Sequence, residues 1–139
     1  VRYSFIVAPS ILQWNSNMQC PKWYGDMDTI LDEETTVDRC QNCHGLYFDQ
    51  LTQELLPGLY GKEAIDSGSD ELGASYDDMV YVECPKCDKI MDQRLLEEPV
   101  RIRFELCPTC NATFLDAGEL REYLSSEFVE EFKSLLPEN

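Results

Sequence analysis

Four thiols, arranged as two pairs, carry the most complete chemistry in this sequence. Cys84-Pro85-Lys86-Cys87 is followed, after nineteen residues, by Cys107-Pro108-Thr109-Cys110. Two Cys-x-x-Cys pairs about 15–20 residues apart form a strong metal-site pattern, because each pair turns two sulfurs to one side and two facing turns complete a tetrahedron. Zinc is the expected ion. Four thiolates leave no coordination position open for a substrate, so this ion would hold structure together and not do chemistry. Four thiolates suit iron as well. Proline after the first cysteine (Pro21, Pro85, Pro108) presets φ for the turn. The residue after the second cysteine often needs positive φ, and His44, Asp88 and Asn111 are types that tolerate it.

A second, incomplete set lies upstream. Cys20-Pro21-Lys22-Trp23 aligns with Cys84 to Cys87 at an offset of 64, and Cys40-Gln41-Asn42-Cys43 aligns with Cys107 to Cys110 at an offset of 67. Tyr47-Phe48-Asp49 then matches Phe114-Leu115-Asp116. The chain reads as two copies of one module, three residues longer between the cysteine pairs in the second. Trp23 stands where the fourth cysteine would be, and indole does not ligate zinc. Cys20, Cys40 and Cys43 thus form an incomplete site, open to a water, to a carboxylate such as Asp26, or to no metal at all. One zinc is expected at Cys84, Cys87, Cys107 and Cys110, and a second only if a replacement ligand exists. Three thiolates and a water resemble a catalytic zinc layout, but no motif places a general base beside them, so weak or lost metal binding is the preferred reading.

The elements that must position these sulfurs are small. Residues 100–106 (Val-Arg-Ile-Arg-Phe-Glu-Leu) alternate apolar and charged side chains, the mark of a half-buried strand leading into Cys107. Val37 occupies the position of Phe104 in the weaker first copy. Asp116 with Glu119 is a capping-box signal. Leu120, Tyr123, Leu124, Phe128, Phe132 and Leu135/Leu136 then recur at helical spacing until Pro137. A shorter helix is expected from Asp49 to Leu56, stopped by Pro57. The expected fold class is small α+β: two tandem modules, each a β-hairpin with Cys-x-x-Cys knuckles followed by an α-helix. The boundaries are a flexible leader over 1–17, module 1 over 18–57, an acidic Gly-rich linker over 58–79, and module 2 with its C-terminal helix over 80–136. The linker holds four of seven glycines and six acids against one lysine, so it reads as a solvated spacer, with an acidic docking segment at 65–72 as the lesser alternative.

Composition narrows the function. Hydrophobic content of 43% is that of an ordinary globular chain. A net charge of −16 opposes nucleic acid and anionic membranes as general partners, leaving another protein as the expected one. No apolar run reaches the roughly 18 residues of a membrane span. Phe5 to Ala8 is too short for a signal-peptide core, and an odd count of seven cysteines does not suit a disulfide scaffold. A reducing compartment, the cytoplasm, follows. Cys40-Gln41-Asn42-Cys43-His44 has the spacing of c-type haem attachment, yet Asn111 at the matching position makes the repeat the better explanation. Thioredoxin-like chemistry needs a βαβ setting that is absent from the pattern.

The run Cys-Pro-Lys-x-x-x-x-Met, a strand, then Cys40-Gln41-Asn42-Cys43-His44-Gly45-Leu46-Tyr47-Phe48-Asp49 resembles the TFIIB-type transcription-factor zinc-finger family, as do Cys84-Pro85-Lys86-Cys87 and Phe114-Leu115-Asp116-Ala117-Gly118-Glu119-Leu120. The resemblance covers residues 18–56 and 82–124 and implies a zinc ribbon with a helix packed on it. It does not supply an activity. The leading expectation is a non-enzymatic, zinc-stabilised interaction module, an accessory to transcription or another multiprotein machine. The alternatives are a nucleic-acid-binding ribbon using Lys86, Lys89, Arg101 and Arg103 (with Arg94 nearby), and a thiol-redox-responsive, chaperone-like zinc protein.

Overall fold

Among the described residues, both halves of the chain contribute to one antiparallel sheet of seven strands. A computed structural model of the protein describes residues 11–22, 25–32, 35–74 and 82–138; Trp23 lies outside them. The strands are β1 (Ile11–Gln19), β2 (Asp26–Asp32), β3 (Thr35–Cys40), β4 (Leu46–Phe48), β5 (Asp92–Leu96), β6 (Ile102–Leu106) and β7 (Thr113–Leu115). Their order across the sheet is β1-β2-β3-β4-β7-β6-β5, so β4 and β7 form the seam between the halves. Short helices α1 (Asp70–Ala74), α2 (Glu119–Tyr123) and α3 (Val129–Leu135) complete a small α+β fold.

The pairing registers repeat. Ile30 faces Val37 in the β2–β3 hairpin, and Arg94 faces Phe104 in β5–β6, the same two positions at offsets of 64 and 67. The three additional residues fall in the 97–101 connection. At the seam Tyr47 pairs with Phe114, its own counterpart, flanked by Leu46 with Leu115 and Phe48 with Thr113. Each flanking pair is the other's image at an offset of 67, so the halves meet about a pseudo-two-fold axis through Tyr47 and Phe114. This is the logic of an isologous dimer written into one chain.

The two faces of the sheet divide the core. On one face Val37, Leu46, Phe48 and Leu51 pack with Ile102, Phe104, Leu115, Leu120 and Phe132. The other face gathers Met27, Tyr47, Met91 and Phe114 around the cysteines. Along β4 the side chains alternate between them, as the pleat requires. Phe132 meets Phe104 edge-on, with ring centres 5.3 Å apart. Each such buried side chain contributes about 1.5–3 kcal/mol. Both cores draw on both halves, so neither half encloses a complete core.

Four sequence expectations differ from the structure. The flexible leader is, over Ile11–Gln19, an edge strand paired with β2; residues 1–10 lie outside the described residues. The pair Gln19–Asp26 recurs as Glu83–Ile90, so the repeat begins upstream of the first cysteine. Of the solvated spacer, residues 75–79 lie outside the described residues, and 58–74 are packed in part: Ile65 and Asp66 are buried, and Arg39 donates to the Ile65 carbonyl at 3.1 Å. Gly68 and Gly73 serve close approach, since added Cβ atoms would lie 2.5 Å from Ala117 Cβ and 2.0 Å from its carbonyl oxygen. The helix expected over 49–56 is a turn followed by a 3-10 segment, Leu56–Leu59, because the Leu51 amide bonds across the seam to Asn111. The C-terminal helix is broken between α2 and α3, where the Ser125 hydroxyl takes up the Glu122 carbonyl at 2.7 Å.

Candidate metal centre

Tight turns at the ends of the hairpins aim the sulfurs. In each, the amide of the leading cysteine closes the loop: Cys20 to the Gly25 carbonyl, Cys40 to Gly45, Cys84 to Lys89 and Cys107 to Ala112, at 2.8–3.0 Å. His44, Asp88 and Asn111 adopt φ of 61°, 62° and 64°, the left-handed conformation expected at these positions. His44 is thereby a turn residue, and its imidazole joins neither cysteine group.

Cys84, Cys87, Cys107 and Cys110 converge. Their sulfurs lie within 4.8 Å of one another, with Cys84–Cys110 at 3.7 Å, Cys87–Cys107 at 3.3 Å and Cys87–Cys110 at 4.0 Å. Sulfurs placed about 2.3 Å from a tetrahedral zinc are about 3.8 Å apart, so the donor set fits that ion. No disulfide joins any of the seven cysteines. Without a cation the thiols share their protons unevenly. Burial resists ionisation of Cys107, but amide donors from Cys110 and Thr109 and the thiol of Cys87 bring it down to about 7. Burial and the Cys107 thiol push Cys110 up to about 12. Metal uptake would therefore release protons.

Cys20, Cys40 and Cys43 form the second group, all buried and likewise within 4.8 Å. Cys20 and Cys43 sulfurs are 3.7 Å apart, and amides of Asn42, Cys43 and Gly45 donate to Cys40 and Cys43 at 3.4 Å. Hydrogen bonds from Cys20 and Cys43 lower Cys40 to about 2. Asp26 is exposed and lies outside this group. Among the described residues no fourth donor completes the set.

Two residues that sequence reasoning passed over sit between the groups. Tyr47 reaches across the seam, its hydroxyl 3.6 Å from Cys84 Sγ. Lys22, in the turn after Cys20, is buried against the other half, 2.8 Å from Asp116 and 3.3 Å from Glu105. Its repeat counterpart, Lys86, is exposed. The alternating pattern of 100–106 placed Glu105 in solvent, but Lys22 covers it, leaving Glu105 2% exposed. Glu119 is nearby, its carboxylate accepting from the Asp116 amide at 2.8 Å, which is half of the expected capping box.

One ammonium faces three carboxylates here. Lys22 is held above the usual lysine range, since Glu105 and Asp116 outweigh its own desolvation. Burial, reinforced by Asp116, pushes Glu105 up to about 7, and burial raises Glu119 well above the usual range. A carboxyl with a raised native pKa favours folding most below its unfolded pKa, and that contribution is lost as pH rises through the native value. Glu105→Gln, fixed in the neutral state, is therefore expected to match the parent near pH 5. It should gain on the parent toward pH 8, by on the order of 2 kcal/mol. Denaturant midpoints of both proteins at each pH check this; a gap that shrinks with rising pH contradicts it.

The basic residues of the nucleic-acid alternative differ in exposure. Lys86 and Lys89 are exposed at a cysteine turn, Arg101 lines a depression with Asp70, Glu119 and Glu122, and Arg103 is only 8% exposed. Among the described residues, no helix is long and apolar enough to cross a membrane. No family model, curated protein or solved structure matches the chain.

Proposed function

We propose that the chain is a non-enzymatic, zinc-stabilised interaction module, two zinc-ribbon units fused into one pseudo-symmetric body, working with protein partners in a reducing compartment such as the cytoplasm. The observation that carries this reading is the closed group of four sulfurs at Cys84, Cys87, Cys107 and Cys110, spaced for a tetrahedral ion with no position left over. The zinc would supply fold stability, and the group of three at Cys20, Cys40 and Cys43 would bind more weakly. A place beside transcription or another multiprotein machine is part of this proposal. A net charge of −16 favours basic protein surfaces over nucleic acid. Zinc titration of the metal-free chain, with proton release followed, is expected to find one tight site. Binding of an oligonucleotide at low salt is expected to be absent, and a salt-dependent complex would replace this reading with the nucleic-acid one.

A further inference from the structure

We propose that Tyr47 is a positioning residue for the metal group of the opposite half: its hydroxyl donates to Cys84 Sγ across the seam, so that the second site is held in part by the first module. The inference rests on the zinc reading of Cys84, Cys87, Cys107 and Cys110 and adds a residue outside that set.

The geometry is specific. Tyr47 is fully buried in β4, and its partner in the central strand pair is Phe114. Its hydroxyl lies 3.6 Å from Cys84 Sγ, within the range of a hydrogen bond to sulfur. A metal-bound thiolate carries no proton, so the phenol is the donor. On the other side of the pseudo-two-fold axis, Phe114 fills the matching place without a hydroxyl. Its ring packs so closely on the first module's cysteine turn that a Cβ on Gly45 would lie 2.3 Å from Cζ. Each seam aromatic thus reaches the other half's cysteine turn, but only the one facing the complete set of four sulfurs bears a donor. Groups that hydrogen-bond to metal ligands orient them and tune the metal, and removing one typically lowers affinity 10–100-fold.

Tyr47→Phe tests this with little risk to the fold, because phenylalanine already occupies the equivalent position 114. Both proteins are loaded with one cobalt(II) per chain, and the sulfur-to-cobalt charge-transfer band and chelator-competition affinity are read. A hydrogen bond stabilises the sulfur lone pair, so its loss is expected to move the band to lower energy and to weaken binding 10–100-fold. Packing alone would not move the band. An unchanged band and affinity overturns the role of Tyr47 while leaving the metal site standing. Failure of the parent to take up cobalt through thiolates overturns the zinc reading and this inference together.

Discussion

Stripping the metal from the assembled protein is expected to unfold both halves together, although only one half carries a complete set of ligands. A structural zinc bound by thiolates supplies roughly 10–16 kcal/mol of apparent binding energy near neutral pH. That is as large as the whole stability of a typical domain, about 5–15 kcal/mol. Two modules joined by a solvated linker, as the sequence reads, would not share that loss. The structure removes that boundary, because β4 and β7 share one sheet and both cores take side chains from both halves. Losing the turns at Cys84 and Cys107 releases β5, β6 and β7. It also removes the partners of Leu46, Phe48 and Leu51. A chelator, or Cys107→Ser, is therefore expected to abolish protected amides in β3 and β4 as well as in β6. Survival of the β2–β3–β4 half after metal removal would show that the halves fold independently.

Replacing Lys22 by methionine is expected to cost about 3–5 kcal/mol near pH 8, since removal of one member of a buried ion pair leaves uncompensated charge. Here the residues left behind are Asp116, at 2.8 Å, and Glu105, at 3.3 Å, with Glu119 adjoining. The penalty should shrink as pH falls and the carboxyls take up protons. Lys86→Met is the internal control, with an expected change within about 0.5 kcal/mol, because that side chain is exposed. The asymmetry has a visible cause. The repeat counterpart of Glu105 is Asp38, one methylene shorter, and Asp38 accepts from Thr29 Oγ1 at 2.6 Å. The counterpart of Glu119 is Thr52. Equal losses for the two lysine variants, measured by denaturant unfolding of the metal-loaded proteins, would show that the buried pair contributes nothing particular.

The sulfur groups were legible in the sequence because ligand spacing is a local property: each Cys-x-x-Cys turn fixes two donors within a few residues. The conformations of His44, Asp88 and Asn111 were legible for the same reason. The apolar spacing from Leu120 to Leu136 picked out Leu120, Tyr123, Leu124, Phe132 and Leu136, which are buried, and Phe128 and Leu135, which are half-buried. It could not show that the helix is interrupted between Tyr123 and Val129, since periodicity reports which face is covered and not whether the backbone is continuous. What escaped altogether is long-range. Lys22 and Lys86 stand in identical Cys-Pro-Lys contexts, and only the docking of the halves distinguishes them. Tyr47 reads as one more strand aromatic until Cys84 is brought to it. The linker misleads for a related reason: glycines and acids signal solvent exposure locally. Gly68 and Gly73 instead let the chain pass close to Ala117, and Asp66 accepts from the amides of Gly118 and Arg121 at the start of α2.

X-ray absorption at the metal edge of the purified protein, with a count of ions per chain, bears most directly on all of this. Four sulfurs at about 2.3 Å around one tightly held zinc are the expected result. A chain that holds no stoichiometric metal, or an ion ringed by oxygen and nitrogen while Cys84, Cys87, Cys107 and Cys110 remain free to alkylate, would contradict it.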